Sequence, residues 1–96
     1  MENRIERITA MEGLLNEALS IIEKADISYE ELLSIQPAVN ELIRYYTGPQ
    51  WREDFEADEN GILPETLKRG VLSEDGIYNL LLRNKELLDE YNRGQK

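Results

Sequence analysis

The chain has 96 residues, a formal net charge of −9, no cysteine and no histidine. Without cysteine there is no disulfide framework, thiol catalysis or thiolate metal site, and without histidine the commonest zinc ligand and general base is missing. The acidic surface is expected to repel nucleic acids and anionic membranes, because binding to both depends on Lys and Arg side chains.

The length predicts a single helical domain over residues 1–96. The apolar runs are too short for a secretion signal or a transmembrane span, so we expect a cytoplasmic protein. The first helix is predicted near residues 2–25, where apolar side chains recur every three or four positions. This stripe consists of Ile8, Met11, Leu15, Ala18, Ile22 and Ala25.

The second helix is predicted near residues 28–47. Ser28 and Glu31 have capping-box spacing, in which each side chain hydrogen-bonds to the backbone N–H of the other residue. Pro37 lacks a backbone N–H and should kink this helix or restart it. Gly48 followed by Pro49 predicts its end.

Residues 48–72 are predicted to form an acidic insert that contains one or two short helices. Pro49 can open a short helical turn that carries Trp51 and Phe55 on one face, because these residues are four positions apart. The run from Pro64 to Gly70 has helix-terminal residues at both ends and predicts a second short helix. With a third main helix near residues 73–92, the prediction is an all-α three-helix bundle whose insert closes one end. On the stripe of that third helix, Asn84 can fix register or oligomeric state, or lie at the solvent edge.

An incomplete calcium-loop pattern lies in the insert. Glu56, Asp58, Asn60 and Gly61 have the spacing of the first half of an EF-hand loop. The twelfth position, where a bidentate Glu should complete the shell, is Leu67. We therefore expect an acidic turn rather than a metal site.

Three other features of the insert are ambiguous. The acidic run, which consists of Glu53, Asp54, Glu56, Asp58 and Glu59, could supply a catalytic acid and base only if burial separated their pKa values. No sequence feature indicates such burial. The aromatic residues can form a small core of the insert or an exposed binding hot spot. The adjacent cations can complement a helix C-terminus or form ion pairs with Asp54 or Glu56. The aromatic residues are Tyr45, Tyr46, Trp51, Phe55 and Tyr78, and the cations are Lys68 and Arg69.

Residues 45–81 read YYTGPQWREDFEADENGILPETLKRGVLSEDGIYNLL. This string closely resembles the uncharacterised bacterial family catalogued as domain of unknown function 4298. The resemblance extends from the first helix to about Leu88, with Gln36-Pro37 as its earliest motif. It implies a small, helical, bacterial protein, and it carries over no activity and no functional residue.

The leading functional hypothesis is a non-enzymatic, cytoplasmic protein–protein interaction module without a cofactor, a metal or catalytic residues. An alternative is an acidic mimic of nucleic acid, of the type that phages use against bacterial defence, which blocks a nucleic-acid-binding protein. A homodimer through uncovered apolar surface is a further expectation. The predicted contact residues are Trp51, Arg52, Asp54, Phe55, Glu56, Asp58, Lys68 and Arg69.

Overall fold

The computed structural model describes residues 3–73 and 75–94. These residues form five α-helices, one short 3₁₀ turn and no β-strand, which confirms the all-α class but with five helices rather than three main ones. The helices are α1 (Arg4–Ile22), α2 (Tyr29–Ser34), α3 (Gln36–Thr47), α4 (Pro49–Glu59) and α5 (Gly76–Gly94), and the 3₁₀ turn is Gly70–Leu72.

Local sequence signals account for the starts of the early helices. Asn3 caps α1 by accepting from the backbone N–H of Ile5 at 2.7 Å. The Ser28–Glu31 capping box forms at the start of α2, with both hydrogen bonds at 3.1 Å. Pro37 lies in the first turn of α3, so the predicted second helix is two helices that meet at Ile35. A proline is tolerated at that place because the first N–H groups of a helix have no partner within it.

The insert differs most from the prediction. Its first part is the 11-residue helix α4, which is much longer than the expected short turn. The helix predicted from Pro64 to Gly70 is wrong, because residues 64–69 form turns and loop. Arg69 explains this conformation, since its guanidinium donates to the carbonyls of Pro64 at 2.8 Å and Leu67 at 3.3 Å. These local side-chain hydrogen bonds satisfy backbone acceptors without a helix.

The helices pack around one core in a molecule with extents of 50 × 24 × 23 Å. α1 contacts both α3 and α5, α4 packs on α3, and the 3₁₀ turn contacts α1, α4 and α5. Asn84 of α5 is buried rather than at the solvent edge, and its side-chain oxygen accepts from Gln36 of α3 at 2.8 Å. This polar pair fixes α3 against α5 within one chain, and it needs no second copy.

No helix in residues 3–73 and 75–94 has the combination of length and apolar content that crossing a bilayer requires.

Candidate functional site

Three aromatic rings form a row where α3 meets α4. The Trp51 and Phe55 rings stack with centroids 5.0 Å apart and planes 21° apart, because the two residues lie one turn apart on α4. Tyr46 contacts Trp51 edge-on at 5.0 Å. The indole N–H of Trp51 donates to the carbonyl of Val71 at 3.0 Å, which joins α4 to the 3₁₀ turn. All three rings are only partly buried, so this aromatic row is both anchored and accessible.

The carboxylate of Asp54 is completely buried between α1, α3 and α4. Arg7 donates to it twice, from Nε to Oδ2 at 2.9 Å and from the terminal nitrogen to Oδ1 at 2.5 Å. Arg4 donates to Oδ1 at 3.2 Å, and the hydroxyl of Tyr45 donates to Oδ2 at 2.6 Å. A buried carboxylate requires this kind of compensation, since an unpaired charge away from water is strongly unfavourable.

The charges of this cluster perturb its members in the expected directions. The hydrogen bond to Asp54 raises the pKa of Arg7, against a smaller opposing effect of burial. Burial raises the pKa of Tyr45 first, and the hydrogen bond and charge of Asp54 add to the effect. Within the described residues, no buried side-chain nitrogen or oxygen lacks a partner. The cluster is therefore a structural clamp that joins α1, α3 and α4.

Two further polar contacts hold the remainder of the insert. Asp58 of α4 forms an ion pair with Arg69, whereas the sequence suggested Asp54 or Glu56 as the partner. The carboxylate of Glu12 on α1 accepts a hydrogen bond from the backbone N–H of Val71, with an O···N distance of 2.8 Å. The loop and the 3₁₀ turn are thus tied to both α1 and α4.

The predicted contact residues separate into three groups. Asp54 must be reassigned, because its side chain is buried and cannot touch a partner. Trp51, Phe55, Asp58 and Arg69 are partly buried and hold the insert in place while leaving some surface exposed. The exposed members are Arg52, Glu56 and Lys68. Among the other aromatic residues, Tyr45 is buried in the clamp and Tyr78 is 54% exposed on α5, outside the aromatic row.

Most of the acidic run does not lie in the acidic turn that we predicted in place of a metal site. Glu56 and Asp58 lie on α4, and the chain turns only at Asn60 and Gly61, where Gly61 has a φ of 70°. A helix directs these side chains outward in different directions around its axis, whereas an EF-hand loop directs its ligands toward one central ion. The part of the chain that the structure describes contains no group of three acidic residues placed to hold a metal.

The sequence prediction missed Arg4, Arg7 and Tyr45 as partners of Asp54. A signal for the arginines was present, since Arg4 lies four positions before Ile8 of the α1 stripe and Arg7 lies four positions before Met11. A cation on the apolar side of a helix requires a counter-charge if packing buries it, because charged side chains are rarely buried unless they are paired. The sequence does not indicate which of its acids this is.

The family model for Domain of unknown function (DUF4298) matches residues 8–93 of the chain. Comparisons with curated proteins and with solved structures find no match.

Proposed function

We propose that this chain, which belongs to the DUF4298 family, is a non-enzymatic protein–protein interaction module that docks through α4 and acts in the cytoplasm. For the fold, we propose that α1, the α2–α3 pair and α5 act as a three-membered bundle, on which α4 is mounted. The docking surface consists of the exposed edges of Trp51 and Phe55 together with Arg52, Glu56 and Lys68.

The main support for this proposal is that the partly exposed aromatic row is held rigidly by hydrogen bonds, ring contacts and ion pairs. Trp51 is held by its hydrogen bond to Val71 and by rings on both sides. The Asp54 clamp and the Asp58–Arg69 pair fix the same helix at two further points. Rigid aromatic anchors lose little entropy on binding, which is why they dominate the energetics of interfaces.

The outer face of α4 indicates the chemistry of the partner. Glu53, Glu56 and Glu59 are exposed there beside a single cation, Arg52. A surface of this kind favours a partner with an apolar centre and a basic rim, since complementary charge accelerates association and suppresses wrong partners.

Nucleic-acid mimicry is less well supported by the charge density. A DNA duplex as long as the 50 Å molecule carries roughly 30 phosphate charges, at about one per 1.7 Å. The chain has a net charge of −9. The net charge of the chain is therefore less than a third of the charge that a mimic of this length would imitate.

The test uses a charge reversal that should leave the fold intact. Arg52→Glu combined with Glu56→Lys keeps the net charge constant and alters only exposed side chains of α4. Lys85→Glu combined with Asp89→Lys is the matched control, because this exposed pair on α5 has the same spacing and charge order. Asp54 is unsuitable for such a variant, since its loss would disturb the clamp. A tagged form of each protein is used to capture partners from a lysate of the cells that express the chain. The binding of each purified partner is then measured.

We expect a partner that binds the native chain and the α5 control but is lost by the α4 variant. If the Phe55 ring is a hot spot, Phe55→Ala should reduce the affinity for the same partner by more than about tenfold. A partner retained by the α4 variant would contradict the proposal. A captured nucleic-acid-binding protein whose affinity falls steeply with salt would favour mimicry instead.

A further inference from the structure

Asn60 and Gly61, at the C-terminal end of α4, form a dipeptide with a reactivity of its own. The backbone nitrogen that follows an asparagine can attack the side-chain amide carbon, and a glycine nitrogen is the least hindered because glycine has no Cβ. Both residues are exposed, so water reaches the amide. The other asparagines of the chain precede bulkier residues, namely Arg4, Glu17, Glu41, Leu80, Lys85 and Arg93.

The reaction is a loss of ammonia followed by hydrolysis. The Gly61 nitrogen bonds to Cγ of Asn60, the bond from Cγ to the side-chain nitrogen breaks, and ammonia leaves with the proton of the Gly61 amide. Water then opens the cyclic imide at either carbonyl. Breaking the bond to Cγ gives an aspartate. Breaking the original peptide bond gives an isoaspartate, in which the backbone passes through Cβ.

The end of α4 holds these two residues in a geometry that prevents ring closure. Asn60 has a ψ of 0°, which eclipses the Gly61 nitrogen with the nitrogen of Asn60, whereas ring closure requires it to eclipse Cβ. The N–H of Gly61 donates to the carbonyl of Asp58 at 3.0 Å. The N–H of Ile62 donates to the carbonyl of Ala57 at 3.2 Å. With a φ of 70° at Gly61, these two bonds form a Schellman motif, which caps the last carbonyls of the helix.

The last turn of α4 can open without unpacking the core. Residues 59–62 are all exposed, and Ile62 is 65% exposed. Opening therefore breaks the two capping hydrogen bonds and uncovers little apolar surface. Helix ends open locally at a much smaller free energy than the whole domain. Two exposed hydrogen bonds reduce the population of the open turn by roughly tenfold to a hundredfold.

We propose that Asn60 is a site of non-enzymatic deamidation in the folded protein, and that opening of the last turn of α4 sets its rate. The reaction needs no partner and is independent of the docking function. Its products disturb the end of α4, because a new carboxylate lies beside the last carbonyls of the helix, where negative charge is unfavourable. In the isoaspartate form, the extra backbone atom also displaces the N–H groups of Gly61 and Ile62 from their acceptors.

The test follows position 60 of the full chain by peptide mapping with mass spectrometry. The folded chain and the chain unfolded in urea are incubated at the same mildly alkaline pH, and the aspartate and isoaspartate products are separated by chromatography. Glu59→Gly loosens the last turn, because Glu59 is exposed and glycine is unfavourable inside a helix. Glu86→Gly is the matched control, since it makes the same change at an exposed position of α5. Each folded variant is compared with its own unfolded form, which removes any effect of the substitution on the intrinsic rate.

We expect products at Asn60 alone among the asparagines, forming roughly ten to a hundred times more slowly in the folded chain than in urea. Glu59→Gly should reduce this protection about fivefold, and Glu86→Gly should leave it unchanged. Equal rates in the folded and unfolded chains, or no product in the folded chain, would overturn the proposal. An equal effect of the two glycine variants would also overturn it, because the reaction would then proceed through global unfolding.

Hydrogen exchange tests the effect on α4. In the purified isoaspartate form, the amides of Gly61 and Ile62 should exchange at least about tenfold faster than in the native chain, because both capping hydrogen bonds are lost. Unchanged exchange at these two amides would show that the end of α4 survives the modification, and would contradict this part of the proposal.

Discussion

Replacing Asp54 with Asn tests the account of the clamp most directly. The change keeps the size of the side chain but removes its charge and half of its acceptor capacity. The Asn amide would also place N–H groups against the donors of Arg4, Arg7 or Tyr45, which now converge on the carboxylate. The guanidinium of Arg7, whose side chain is 11% exposed, would lose its counter-charge.

The expected loss of stability follows from these exposures. Removing one partner of a fully buried pair costs about 3–5 kcal/mol, whereas exposed pairs contribute about 0–1 kcal/mol. Asp54 and Arg7 resemble the first case, and Arg4, with 42% of its side chain exposed, resembles the second. We therefore expect the free energy of unfolding to fall by about 3 kcal/mol, which lowers Tm by roughly 12–24 °C in a domain of this size.

Urea and thermal unfolding, followed by far-ultraviolet circular dichroism, measure this loss. Glu41→Gln is the matched control, because it makes the same carboxylate-to-amide change in the exposed Arg44–Glu41 pair. That control should cost less than about 0.5 kcal/mol. If Asp54→Asn proves no more destabilising than Glu41→Gln, the clamp does not hold α4 and the reasoning is refuted.

Further predictions concern alkaline pH and two glycines. The raised pKa of Tyr45 means that the unfolded chain loses this proton first, near pH 10, so stability should decline as pH rises beyond that point. Tyr45→Phe should remove this component of the decline, and urea unfolding across the alkaline range would detect it. Gly13→Ala should stabilise the protein by about 0.5–1 kcal/mol, because Gly13 is inside α1 and an added Cβ meets nothing within 4 Å; unchanged urea unfolding would contradict this. Gly76→Ala should instead destabilise it, since the Cβ would lie 2.7 Å from the carbonyl oxygen of Gly70, and a thermal unfolding curve like that of the native chain would count against the packing described.

Several features of this fold could be predicted because they depend on neighbouring residues. The Ser28–Glu31 capping box formed as its spacing indicated, and Pro37 restarted the helix because it lacks an N–H wherever it occurs. The apolar spacing of α1 also gave four of its buried positions correctly: Ile8, Leu15, Ala18 and Ile22. Ala25, predicted to extend that stripe, is exposed beyond the end of α1.

The sequence by itself therefore determined the helical class, most helix starts and much of the apolar face of α1, since each depends on interactions within a few residues. Only the tertiary structure decided which acid is buried, because Asp54 meets arginines 47 and 50 positions away. It also decided that residues 64–69 are not a helix, since Arg69 pairs with Asp58 of α4 and donates to the carbonyls of its own segment from that position.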